Sequence, residues 1–177
     1  PVKVQAEEFG IKVYQPQTLK NGEGMEILQE LNPDIVVVVA YGKILLKDFL
    51  EYTKYGCINI HASLLPHLRG AAPIQWSILN GDEITGVTAQ QMDIGIDTGD
   101  ILMTKKFTIP ENMNAGELFD VLSDMGADVL METISAVVNG TLNPVKQDDS
   151  MSTYASMLSK DLCPTDFSES AHNVHNH

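Results

Sequence analysis

Short runs of β-branched and other apolar residues alternate along this chain with segments whose apolar residues recur at helical spacing. That alternation predicts strand–helix–strand units and an α/β fold. Val2, Val4, Ala6 and Phe9 have the spacing of a helix already under way, so the chain reads as a fragment whose start is missing. Residues 11–14 read as a short strand stopped by Pro16, and 22–31 as a helix with Met25, Ile27, Leu28 and Leu31 on one side. Asn32-Pro33-Asp34 ends that helix. Residues 35–40 are almost wholly apolar, which predicts a central strand covered on both faces. A short helix over 45–52 and a strand over 57–60 follow, then a loop over 61–72 holding Pro66, Arg69 and Gly70. Pro73 suits the first turn of a helix running to Leu79, which Asn80-Gly81 closes. In it Ile74, Trp76 and Leu79 have core spacing. Residues 85–92 and 100–109 read as strands around a Gly-rich turn, and 115–138 as a long helix closed by Asn139-Gly140. From Gln147 the periodicity fades and Ser, Asp and Thr become common. The compact domain is therefore placed at 1–146, with an extended strap over 147–177 leading towards a further segment.

Composition narrows the class. A chain of 177 residues at 44% hydrophobic can build the core of one domain. A formal net charge of −13 with 11 Lys+Arg argues against nucleic-acid binding through this segment and favours small-molecule chemistry. Cys57 and Cys163 stand in no CxxC or CxxH spacing, so neither a thiolate zinc site nor a disulfide framework is expected, which fits a reducing compartment. No run of 18 apolar residues occurs and the N-terminus lacks a signal pattern, so no membrane association is expected. Neither GxxxxGK[ST] nor GxGxxG is present.

Candidate chemistry concentrates around one strand. Asn59 and His61 sit two residues apart at the carboxyl end of the 57–60 strand, where ligands bind in open parallel sheets. A period of two puts both side chains on one face. An amide and an imidazole there can together hold an oxygen that becomes negative when a carbonyl is attacked. The same spacing fits a polar strand end that merely caps backbone groups. Asp97, in the turn 93–100, can hold an imidazole or accept a proton, but Asp93 and Asp100 share that turn and turn chemistry alone favours all three. Arg69, the sole arginine, suits a carboxylate or phosphate partner; a lone surface charge is the simpler reading. His172, His175 and His177 could ligate a metal weakly, but no firm helix or loop frames them.

Two longer stretches carry a resemblance. INIHASLLPHLRGAAPI, residues 58–74, resembles the central signature of the formyltransferases that use 10-formyltetrahydrofolate. MDIGIDTGDIL, residues 92–102, resembles that family's other signature. The wording RGAAPI and DTGD, with the strap QDDSMSTYA at 147–155, is most similar to the members that formylate methionine carried by initiator tRNA. The resemblance covers essentially the whole chain. It implies a Rossmann-like domain with a mostly parallel sheet flanked by helices. It places the family's catalytic Asn, His and Asp on Asn59, His61 and Asp97, and its signature Ser on Ser63. It places the folate pocket on Leu64, Leu65 and Pro66 and on the turn with Asp93, Gly95 and Ile96. The implied formyl donor is 10-formyltetrahydrofolate, with no metal. The implied acceptor is methionyl initiator tRNA, reached mainly through segments outside this chain, in a monomeric protein of the bacterial cytoplasm. The family's opening strands, its basic loop and its C-terminal barrel-like domain have no counterpart here. A sibling acting on glycinamide ribonucleotide or an amino sugar nucleotide would share the same trio, and a non-catalytic folate-binding module need not keep it.

Overall fold

The computed structural model describes residues 2–19 and 22–177. It shows helices packed on a four-stranded sheet built from β1 (Val36–Val39), β2 (Cys57–His61), β4 (Ile84–Gln91) and β5 (Ile101–Thr108), in the order β1-β2-β4-β5. A second, two-stranded sheet joins β3 (Arg69–Gly70) to β6 (Tyr154–Ala155). The α/β class stands, and helices flank the sheet. Its strand directions correct the expectation of a mostly parallel sheet. β1 and β2 run parallel, whereas β2–β4 and β4–β5 are antiparallel. The β1–β2 connection carries helix α3 (Lys47–Leu50) and is a true crossover. The segment from β2 to β4 contains helix α4 (Pro73–Leu79) and mimics a crossover in sequence. It nevertheless leaves and re-enters the sheet at the His61 end, since His61 pairs with Thr88 and β4 begins beyond it.

One other expectation is corrected. Residues 11–14 form no strand: Lys12 Nζ and Tyr14 Oη both donate to Glu30 Oε1, at 2.7 and 2.9 Å, and no strand pairs with the segment among the described residues. β1 is outermost among the described strands, with Val37 38% and Val39 59% exposed. At the amino end, α1 (Val2–Glu8) leaves Val2 and Val4 exposed, and α2 (Glu23–Leu31) follows it.

The core forms where α5 (Ala115–Asn139) lies on the sheet. Asn114 caps this helix: its Oδ1 accepts from the amides of Gly116 and Glu117, while Glu117 Oε2 accepts from the Asn114 amide. Gly140, with φ 65°, closes it. Leu118, Leu122, Val129 and Thr133 form its buried stripe, and the first three pack with Ile58, Ile74, Ile78, Val87 and Ala89. Gly126 belongs to the same stripe because an added Cβ would stand 3.3 Å from Ile60 Cγ2. Trp76 is a further correction: it is half-buried, and its indole N–H donates to the Ser156 carbonyl at 2.8 Å instead of filling the core.

Burial also separates the two thiols. Cys57 is fully buried in β2 and burial pushes its pKa up to about 11, whereas Cys163 is exposed. The thiolate is the reactive form. Alkylation of the native protein near pH 8 is therefore expected to mark Cys163, with Cys57 reacting only after denaturation. Equal labelling rates, read by mass spectrometry, would contradict the buried position of β2.

Candidate active site

β2 delivers Asn59 and His61 to one face of the sheet, and the turn between β4 and β5 folds back over them. Gly99 permits that return, since a Cβ there would sit 1.6 Å from the Gln91 carbonyl oxygen. Asp97 occupies the left-handed region at φ 55°, unusual for a residue with a side chain. Its carboxylate becomes the centre of the cluster. Oδ1 accepts from Gln90 Nε2 at 2.7 Å and meets Asn59 Nδ2 at 3.4 Å, while Oδ2 accepts from the Gly70 amide at 2.8 Å. His61 Nδ1 lies 3.6 Å from Oδ2, an electrostatic neighbour beyond hydrogen-bond range.

The His61 ring is oriented by backbone. Nε2 lies 2.8 Å from the Leu68 carbonyl oxygen, which can only accept. The proton therefore sits on Nε2, leaving Nδ1 as the edge facing Asp97 and the adjoining space. Leu68 reaches that position in the left-handed region, with φ 57°. The long Asn59–Asp97 contact leaves most of the Asn59 amide's donor capacity free for another acceptor.

The trio named from sequence thus converges on one point. The remaining candidates divide by exposure. Ser63 and Leu65 are buried: Ser63 Oγ donates to the His67 carbonyl at 2.5 Å, and Thr88 Oγ1 donates to the Ser63 carbonyl and accepts from the Leu65 amide. These two residues shape the loop. Leu64 and Pro66 are half-buried, while Asp93, Gly95 and Ile96 stand exposed on the turn. Asp93 braces that turn, accepting from the Gly95 amide and from Thr98 Oγ1. His172, His175 and His177 lie on or beside α6 (Ala171–Asn176), remote in sequence from this cluster. Among the described residues no group of three or more His, Cys, Asp and Glu side chains is arranged to hold a metal ion.

Sequence reasoning missed Gln90 and Gln147. Gln90 is 1% exposed and pairs across the sheet with Asn59, a relationship visible only once the antiparallel register is known. Its Oε1 is buried without a hydrogen-bond partner. Gln147 donates from Nε2 to the carbonyl oxygens of Asp97 and Gly99, at 2.8 and 2.7 Å. Arg69, read from sequence as a lone surface charge, is corrected: it is 8% exposed and bonds Gln147 and Asp149.

The sequence matches the formyl transferase family model over residues 1–134. The chain belongs to this family. A methionyl-tRNA formyltransferase of Clostridium novyi (strain NT) is 52% identical over 177 residues, covering 99% of this chain and 57% of that protein. The chain thus spans little more than half the length of such relatives. An N-formyltransferase from Helicobacter canadensis, solved with folinic acid and dTDP-3-aminofucose, superposes with a TM-score of 0.75 at 26% identity, covering 97% of this chain and 60% of the other. A 4-N formyltransferase from Francisella tularensis gives 0.79 at 21% identity, covering 98% and 69%, and shows the shared fold. No described helix is long and apolar enough to cross a membrane.

The turn that carries Asp97 makes this cluster sensitive to Gly99. A Gly99→Ala side chain would meet backbone, which a rotamer change cannot relieve. The expected loss is about 1–3 kcal/mol of stability in urea unfolding, with reduced activity. Wild-type values for both would show that the turn lies elsewhere in solution.

Proposed function

We propose that the protein carrying this chain transfers a formyl group from 10-formyltetrahydrofolate to the amino group of methionyl initiator tRNA, in the cytoplasm. The observation that carries the chemistry is the convergence of Asn59, His61 and the Asp97 carboxylate on one point. The observation that favours the acceptor is the 52% identity to a methionyl-tRNA formyltransferase, against 26% to the N-formyltransferase solved with dTDP-3-aminofucose. The folinic acid named with the Helicobacter canadensis enzyme supports a reduced folate as donor.

The geometry gives each residue a task. The Asn59 amide donates to the formyl oxygen as it gains charge on attack by the amine. His61 Nδ1 faces the same space while Nε2–H is held by Leu68, so the ring can take a proton from the attacking nitrogen there. Asp97 steadies the positive charge that His61 then carries, from 3.6 Å, and relays a proton through water to the folate N10 as its bond to the formyl carbon breaks and tetrahydrofolate leaves. Its carboxylate is kept in place by Gln90 and Gly70. Leu64 and Pro66 on one side, and Asp93, Gly95 and Ile96 on the other, flank the donor, with Ser63 and Leu65 shaping the first wall. Residues 1–146 constitute the catalytic domain and 147–177 the strap.

The test offers 10-formyltetrahydrofolate with methionine-charged initiator tRNA and, separately, with glycinamide ribonucleotide and an amino sugar nucleotide. Transfer to the charged tRNA alone is expected. Transfer only to a nucleotide amine would move the acceptor to a sibling enzyme, and transfer to none would overturn the catalytic reading.

A further inference from the structure

Gln147 and Arg69 form a device outside the trio, and its geometry is unusually complete. The Gln147 amide uses both ends. Nε2 donates to the carbonyl oxygens on either side of Thr98, those of Asp97 and Gly99, while Oε1 accepts from Arg69 Nε at 3.0 Å and Nη2 at 2.8 Å. The amide orientation is fixed by its partners. A flip would point NH2 at a guanidinium and an oxygen at two carbonyls, leaving every contact repulsive. Arg69 is in turn held by Asp149 at 2.7 Å. It is buried, so its position is set by the fold. Its own backbone is paired to the strap, since the Arg69 amide donates to the Thr153 carbonyl at 2.9 Å and β3 runs beside β6. The next residue, Gly70, gives its amide to Asp97 Oδ2.

Asp97 needs such support. A side-chain-bearing residue at φ 55° is disfavoured unless its surroundings hold it. Gln147 grips the backbone of the turn, while Gln90 and Gly70 grip the carboxylate. We infer that Gln147, locked by Arg69, is a positioning residue that holds the Asp97 turn in its active conformation, so that the strap is part of the active-site scaffold. This inference rests on the proposed formyl transfer for its kinetic consequence, and on geometry alone for the clamp.

The experiment compares Gln147→Glu and Gln147→Met in the full protein. Glutamate keeps the length and the Arg69 partner but loses both donors to the turn. Methionine keeps the length without either polar function, and serves if the new carboxylate impairs folding. The first readout needs no activity: deuterium uptake by the peptide spanning 93–100. Uptake about tenfold faster than wild type is expected, with β4 and β5 unchanged; wild-type uptake would overturn the clamp whatever the enzyme does. The second readout is a cycle with Asp97→Asn, which leaves the Asp97 carbonyl and thus the clamp intact. Gln147→Glu is expected to lower kcat about tenfold in the wild-type background, with the KM for 10-formyltetrahydrofolate within about twofold, and to change kcat less than about twofold beside Asp97→Asn. The same factor in both backgrounds would make Gln147 a general structural residue and overturn its action through Asp97. Faster uptake by the Gln147 variants, beside a wild type that transfers no formyl group, would leave the clamp standing and place the failure in the proposed function.

Discussion

Replacing Asn59 by alanine is expected to lower formyl transfer about 100- to 1000-fold, the usual consequence of removing one donor from a developing oxyanion, and replacing His61 about 100-fold or more, the scale of a lost proton-transfer group. The two variants should fail for different reasons. Asn59 touches Asp97 only at 3.4 Å, so its amide has donor capacity to spend on the substrate and its removal disturbs little else. His61 is buried and anchored to Leu68, so its removal also leaves the Leu68 carbonyl without its partner. Asn59→Ala should therefore keep wild-type thermal stability, while His61→Ala should lose roughly 1–3 kcal/mol in addition to rate. Steady-state kinetics and urea unfolding separate these effects. Turnover within about threefold of wild type for either variant would remove that residue from the chemistry.

Asp97→Asn is expected to retain reduced-folate binding and to lose about 100-fold or more in kcat, the scale of a lost proton-transfer group. The substitution is nearly isosteric, and the reason it should fail is electrostatic. The carboxylate faces the amide N–H of Gly70, the amide groups of Gln90 and Asn59, and the His61 ring. A carboxylate accepts on both oxygens. An asparagine must turn its own NH2 towards one of these donors, so one arm of the network becomes repulsive. It also loses the charge that steadies His61 once protonated. Folate binding, measured by titration with 5-formyltetrahydrofolate, should change little because the exposed turn residues Asp93 to Ile96 are untouched. Unchanged turnover would reduce Asp97 to a residue chosen for its turn.

Much of this was readable from the chain. Pro73 marks a helix start that the structure keeps, and Gly140 marks an end. The helix over 115–138 was legible, while the structure decides that its stripe of Leu118, Leu122 and Val129 lies on the core. Asn59 and His61 share a face because a strand alternates, whichever way its neighbours run. Those are local rules, so the sequence alone determined most of the central elements, the long helix and the polar pair at the end of β2.

What tertiary structure decided is whatever depends on pairing. A helix between two strands does not fix their relative direction, so α4 suggested a crossover where the chain returns antiparallel. That reversal matters to the site, because it sets Gln90 opposite Asn59 and brings the turn after β4 back over β2. Among Asp93, Asp97 and Asp100, turn chemistry offered no choice; only the folded turn puts the Asp97 carboxylate among the donors of Gln90, Gly70 and Asn59. Arg69 and Gln147 are 78 residues apart along the chain, and no local pattern links them. Their contact exists because β6 lies beside β3, a long-range pairing whose physical cause is the whole fold.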